Sequence, residues 1–242
     1  MITFQDVHKS FDDHPILQGV DLEMPTGKIS VILGPSGEGK TVLLKHIMGF
    51  LQPDRGRVIV EGQDLSQLGE FELNQFRKKF GMLFQSAALF DSLTVSENVA
   101  FPLREHSGLS EEKISRQVKE KLALVGLESA ADRMPSELSG GMRKRVGLAR
   151  AIALEPKIIL YDEPTTGLDP LMTDSINSLI LETHKKMGAT SILISHDIES
   201  AFKVGDFLAL LHEGKILAKG SPETLRKSSH PFVQKFLGVR AA

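Results

Sequence analysis

A chain of 242 residues with 41% apolar content can bury a sizeable core, which excludes a disordered polypeptide. Its 29 Lys and Arg against 31 Asp and Glu leave a formal charge of −2, so no global field draws it to nucleic acid or anionic lipid. The absence of cysteine excludes disulfides and thiolate metal sites and fits a reducing compartment.

The first residues include Asp6, Asp12 and Asp13 and lack the basic, then apolar, then small-residue order of a secretory leader. No apolar run approaches the roughly 20 residues of a membrane-spanning helix. A cytoplasmic setting is therefore expected.

Short β-rich runs open the chain at Ile2 to Val7, Val20 to Met24 and Arg57 to Glu61, with Pro25-Thr26-Gly27 and Pro53-Asp54-Arg55-Gly56 reading as turns. They suggest an antiparallel edge layer. The apolar, β-branched run Ile29 to Leu33 then ends at a glycine-rich loop, and Val42 to Ile47 reads as a helix.

That loop, residues 34 to 41, reads GPSGEGKT and matches G-x-x-x-x-G-K-[ST] in the strand-to-helix setting the motif requires. Gly34, Gly37 and Gly39 let backbone N–H groups converge on phosphate oxygens, and the following helix N-terminus adds its dipole. Pro35, Ser36, Glu38 and Val42 complete the candidate ATP-binding stretch. Lys40 is expected at the β- and γ-phosphates and the Thr41 hydroxyl on Mg²⁺. Glu38, a carboxylate inside a phosphate loop, is expected to point to solvent. One such loop means one nucleotide site.

Beyond about residue 86 the texture turns helical. From Ser110, a candidate N-cap followed by Glu111 and Glu112, apolar residues recur at Ile114, Val118, Leu122 and Val125 on one helical face. Helix is also expected over Arg143 to Leu154. Lys157 to Tyr161, Thr190 to Ile194 and Phe207 to Leu211 are apolar strands alternating with helical stretches, the order of a mostly parallel α/β sheet.

The strand at 157 to 161 runs into Asp162 and Glu163, the form of a Walker B site. Asp162 is the candidate for the Mg²⁺ shell and Glu163 the candidate general base for the attacking water. The basic clusters Arg77-Lys78-Lys79 and Arg143-Lys144-Arg145 lack an aromatic stacking platform, so they read as solvated helix faces rather than a nucleic-acid surface.

With Leu138-Ser139-Gly140-Gly141-Met142 ahead of a helical run, the chain resembles the ABC ATPases over residues 1 to about 220. The resemblance implies an α/β P-loop (RecA-like) core with an antiparallel β edge layer and an inserted helical subdomain. A single domain is expected over 1–242, with core about 1–85 and 155–220, helical subdomain about 86–154 and C-terminal tail about 221–242. It further implies Phe11 against adenine, Gln85 on Mg²⁺ and the attacking water, and His196 on the γ-phosphate. Ser139, Gly140 and Gly141 are implied to close over the partner's ATP, and Gly167-Leu168-Asp169 to touch the second subunit of a homodimer. Val42 stands where most of these ATPases carry a hydroxyl residue.

Three stretches, at 39 to 56, 84 to 103 and 138 to 170, are most similar to the ATPases of the Mla and MCE-associated lipid transporters, among which a valine at position 42 is familiar. That similarity implies phospholipid transport through a separate permease at the inner membrane, with a STAS-domain accessory subunit and an MCE-domain lipid-binding protein as possible partners. An ATPase serving another importer or exporter, or a soluble ABC protein outside transport, remains open at this point.

Two segments lie outside the motifs. Ala87 to Leu103 is apolar for a surface loop, part core and part candidate groove for a permease helix. Phe232, Val233, Phe236 and Leu237 form an apolar helical face in the tail, expected to latch onto its own domain, a second subunit or an accessory protein, with the resemblance favouring a dimer contact.

Overall fold

The structure is a computed structural model that describes residues 1–238. In chain order the elements are β1 (Ile2–Phe11), β2 (His14–Met24), β3 (Ile29–Leu33), α1 (Lys40–Ile47), β4 (Arg55–Val60), β5 (Gln63–Asp64), α2 (Glu70–Arg77) and β6 (Phe80–Leu83). There follow α3 (Val95–His106), α4 (Glu111–Leu124), α5 (Gly140–Ala151), β7 (Ile158–Asp162), α6 (Pro170–Met187) and β8 (Thr190–Ser195). The chain closes with α7 (Ile198–Val204), β9 (Phe207–His212), β10 (Lys215–Gly220), α8 (Pro222–Arg226) and α9 (Pro231–Leu237). It divides into two compact units, one of residues 1–77 with 190 onward, the other of residues 78–189.

In the first unit, β2, β1, β4 and β5 form an antiparallel sheet in that order. Ile2, Phe4, Val7, Leu17, Val20, Leu22 and Met24 bury its inner face. β1 and β2 are longer than the apolar runs alone suggested, because the polar stretch from His8 to Phe11 still pairs with β2 up to Phe11 opposite His14. The hairpin turns through Asp12 and Asp13, both at positive φ (47° and 62°), the geometry that matches strand twist in a two-residue connection. Arg55 and Gly56, expected in a turn, already belong to β4.

The same unit holds a second sheet in the order β10-β9-β3-β8, with β3 parallel to both β8 and β9 and β10 antiparallel to β9. β3 and β8 are buried at every position, which explains why they read as continuous apolar runs rather than as alternating ones. Leu33 lies opposite Ser195, so the glycine loop and the 196–197 segment leave the carboxyl ends of neighbouring parallel strands. In open α/β sheets that end is where ligands bind.

In the second unit, β6 and β7 pair in parallel, from Phe80 opposite Ile158 to Leu83 opposite Tyr161. Helices α3, α4, α5 and α6 belong to this unit. α3 starts on a capping box, with Thr94 Oγ1 accepting from Glu97 N and the Glu97 carboxylate accepting from Thr94 N. Ser110 does precede α4, but its side chain makes no capping bond. α5 begins at Gly140, three residues before the expected Arg143, because Ser139 caps it by accepting from Met142 N at 3.3 Å.

Candidate nucleotide site

Two positions in the glycine loop leave no room for a side chain. A Cβ on Gly34 would stand 2.4 Å from the Leu211 carbonyl oxygen of β9, and one on Gly39, at φ 93°, would stand 2.6 Å from Ile16 Cγ2. Gly39 also precedes α1 in the left-handed region, which turns the chain from loop to helix. Lys40 is 4% exposed and donates to the carbonyls of Gly34 (2.9 Å) and Pro35 (2.8 Å), so its ammonium is folded under the loop rather than projecting into solvent. Backbone N–H groups at a helix start, combined with a lysine gathered beneath them, suit a polyphosphate anion. Thr41 is exposed and Val42 half-buried at the start of α1.

Glu38 departs from expectation. Its carboxylate does not point to solvent: Oε1 lies 2.8 Å from His212 Nδ1, and Oε2 accepts from Glu213 N at 2.6 Å. Ser36 and Gly37 are exposed at the loop tip. Also in this unit, Phe11 is 42% exposed at the end of β1, with the Lys9 ammonium 5.6 Å from its ring centroid. An exposed ring at a strand end is available for stacking by a base. His196 is exposed directly after β8, and the segment behind it is fixed by Asp197 N donating to Ser195 Oγ at 2.9 Å and by Asp197 capping α7.

The second unit assembles a different set. Glu163 follows β7 with φ 44°, in the left-handed region where a non-glycine residue is uncommon. Its Oε2 accepts from Thr166 Oγ1 at 2.9 Å and from Gln85 Nε2 at 3.4 Å. Lys144 of α5, 6% exposed, donates to the carbonyl oxygens of both Gln85 and Glu163, so one buried ammonium joins the two loops. Burial pushes the Lys144 ammonium below its usual range, an effect opposed by the nearby Asp162 and Glu163 carboxylates. Asp162 is half-buried at the end of β7. Gln85 and Asp162 in this unit, and separately the Thr41 hydroxyl in the first, are oxygen donors of the hard kind Mg²⁺ prefers.

The basic clusters are solvated faces only in part: Lys78 and Arg143 are exposed, but other members turn inward. Besides the role of Lys144, Arg145 donates to Val125 O (2.9 Å) and Ser175 Oγ (2.6 Å), and Arg143 to Leu138 O (2.7 Å). Arg77 likewise donates to Met48 O (3.2 Å) and Gly49 O (2.9 Å) within the first unit. A guanidinium with several fixed donors closes loop carbonyls that would otherwise be left unpaired.

Ser139 and Gly140 are exposed at the start of α5, and Gly141 is buried with room for no more than a tight Cβ, 3.2 Å from Met172 Sδ. Gly167 is exposed, Leu168 half-buried, and Asp169 caps α6 by accepting from Met172 N at 2.9 Å. Within Ala87 to Leu103 both readings hold in part. Ala87, Val95, Val99 and Leu103 are core, while Phe90 and Phe101 are about 40% exposed with ring centroids 4.7 Å apart. In the tail, Val233 is buried and Phe232 stacks on His212, so α9 lies on its own unit; residues 239–242 fall outside the described residues.

A glycine loop over a buried lysine, on the carboxyl end of a parallel strand, defines a phosphate-loop nucleotide-binding protein. The family described as ABC transporter matches residues 17–166, and the chain belongs to that family. It is 47% identical to the intermembrane phospholipid transport system ATP-binding protein MlaF of Haemophilus influenzae, over 93% of this chain and 85% of that protein. It is 45% identical to the probable ribonucleotide transport ATP-binding protein Mkl of Mycobacterium tuberculosis, over 96% of this chain. The chain spans about 65% of the length of that relative. Among solved structures it is similar to the ATP-binding cassette MJ0796, a dimer in a post-hydrolysis state bound to ADP and Pi. The TM-score there is 0.83, with 32% identity over 91% of this chain and 98% of the other.

Proposed function

We propose that the chain is the ATP-hydrolysing subunit of a transporter that moves phospholipid across the bacterial envelope. It would act as a homodimer, peripheral on the cytoplasmic face of the inner membrane, and drive a separate permease. No described helix is long and apolar enough to cross a membrane, and the translocation path is assigned to the separate permease.

The observation that carries the hydrolytic part is the Glu163 carboxylate, held by Thr166 and Gln85 at the end of β7. A carboxylate fixed in that way can take a proton from water as the water attacks phosphorus. Lys40 is assigned to the β- and γ-phosphates, the loop N–H groups to the phosphate oxygens, Phe11 to adenine and His196 to the γ-phosphate. Thr41, Gln85 and Asp162 are assigned to hold Mg²⁺, which would supply positive charge against the phosphates. The exposed Ser139 and Gly140, at the start of α5, are assigned to the partner's nucleotide, with 167–169 at the dimer contact. The dimeric state of MJ0796 supports this.

The lipid substrate rests on the similarity to MlaF, whose name states intermembrane phospholipid transport. Mkl, named for probable ribonucleotide transport, supports a second reading with a nucleotide cargo. Isolation of the chain with its native membrane partners, followed by reconstitution in liposomes, separates the two. ATP-dependent movement of labelled phospholipid is expected. Movement of labelled ribonucleotide without lipid would establish the second reading. Recovery of a permease with MCE-domain and STAS-domain proteins is the expected composition.

A further inference from the structure

Glu38 poses an electrostatic problem. The loop N–H groups and Lys40 create a positive concavity, and a mobile carboxylate four residues from the loop start would be drawn into it in competition with phosphate. The fold occupies both carboxylate oxygens elsewhere. His212 Nδ1 is 2.8 Å from Oε1, and Glu213 N donates to Oε2 at 2.6 Å. Only 18% of the Glu38 side chain is exposed.

The group that holds Glu38 is itself held. Glu213 and Gly214 form the two-residue turn between β9 and β10, both at positive φ, and the turn is tied to β2 by Gln18 N donating to Gly214 O at 2.9 Å. The His212 ring lies face to face with Phe232 of α9, centroids 3.6 Å apart and planes 6° from parallel. Phe232 in turn stacks with Phe236, 6.1 Å away, and their helix is anchored by the fully buried Val233. The Glu213 carboxylate, 3.8 Å from His212 Nε2, is the other charged group on that ring. A continuous path thus runs from the phosphate loop through one imidazole to the C-terminal helix.

We propose that His212 and Phe232 are positioning residues for nucleotide binding: with α9 seated, His212 retains the Glu38 carboxylate outside the phosphate concavity, so that ATP affinity depends on the docking of the C-terminal helix. The inference rests on the ATP-binding reading above. It makes α9 a point at which anything that lifts the helix lowers affinity for ATP without touching the nucleotide.

The test is a double-mutant cycle on the full chain, titrating a non-hydrolysable ATP analogue with Mg²⁺ by calorimetry and recording the nucleotide-free melting temperature of each variant. His212→Ala is expected to weaken binding about tenfold and Phe232→Ala about threefold, while Phe232→Tyr, which keeps the stack, binds as wild type. In the Glu38→Ser background the same two alanine changes are expected to alter affinity less than about twofold, because no carboxylate is left to release. Equal losses with and without Glu38, or undiminished binding by His212→Ala and Phe232→Ala, overturn the inference alone. If His212→Ala does not fold, the Phe232 pair carries the same comparison. A wild-type chain that binds no analogue overturns the ATP reading and this inference with it.

Discussion

Thr166 donates its hydroxyl to the Glu163 carboxylate at 2.9 Å, three residues further along the same loop, while Glu163 itself sits at φ 44°. The uncommon backbone geometry and the local hydrogen bond together aim one carboxylate. Glu163→Gln preserves size and polarity and removes the proposed base, so turnover should fall by roughly 10²–10⁴ with nucleotide still bound. Thr166→Val should lower kcat by about tenfold or less while leaving KM for ATP close to its original value, since the carboxylate remains but loses its orientation. Steady-state ATPase assays beside equilibrium nucleotide titration check both; full turnover by Glu163→Gln would assign the base to another group.

Ser139 lies exposed at the start of α5, where it already accepts from Met142 N. Replacement by Arg puts a long cation at that start and removes the cap, which costs about 1 kcal/mol of local stability. If Ser139 completes the partner's site, the larger effect is functional. Ser139→Arg should bind ATP in the monomer yet fail to dimerise with ATP in the Glu163→Gln background, as read by size exclusion with light scattering. A Ser139→Ala control separates the lost cap from the introduced bulk; an ATP-dependent Ser139→Arg dimer would remove the trans assignment.

The phosphate loop is legible in sequence because its spacing is imposed by backbone geometry: residues 34 to 41 must turn, cradle and start a helix within eight positions. The same holds for β3 and β8, whose burial at every position writes itself as an apolar run. What the sequence hides is long-range pairing of polar groups. Glu38 and His212 are 174 residues apart, and nothing local to either marks the other. Lys144 sits in a basic triplet that looks solvent-facing, yet its burial follows from which carbonyls of two remote loops need a donor. Ala87 and Ala88 take positive φ, 62° and 45°, because Arg150 gathers both of their carbonyls at 2.7 Å, a geometry no alanine propensity announces. The first turn of β1 and β2 was hidden for the opposite reason: ladder bonds, not apolar side chains, extend the pair to Phe11.

Asn98 is fully buried in α3 and closes the loop before it, accepting from Phe90 N at 2.9 Å and donating toward the carbonyls of Phe90, Leu93 and Thr94 at 3.0–3.1 Å. Alanine there strands a buried N–H and several carbonyls, each costing about 1–3 kcal/mol when unmet. Asn98→Ala should therefore destabilise the chain by about 2–4 kcal/mol in urea unfolding. The loop it fixes presents Phe90, so limited proteolysis should also begin earlier between residues 88 and 94. A variant with unchanged unfolding midpoint and digestion pattern would show that the loop is held by other contacts.

His46 offers a pH-dependent counterpart in α1. It is 1% exposed, its Nδ1 donates to the Val42 carbonyl at 2.8 Å, and burial holds its pKa below the usual histidine value. In the unfolded chain the ring protonates near pH 6.5, whereas in the folded chain it stays neutral to lower pH. Between those two values the unfolded state binds more protons, so stability is complete above about pH 6.5 and is lost as pH falls toward the folded-state pKa. The slope from one such group is at most about 1.4 kcal/mol per pH unit. His46→Gln removes the titration, and its melting temperature should fall less than that of the wild type between pH 7.5 and pH 5.5. Parallel curves for the two proteins would mean that the acid sensitivity of the fold arises at other groups.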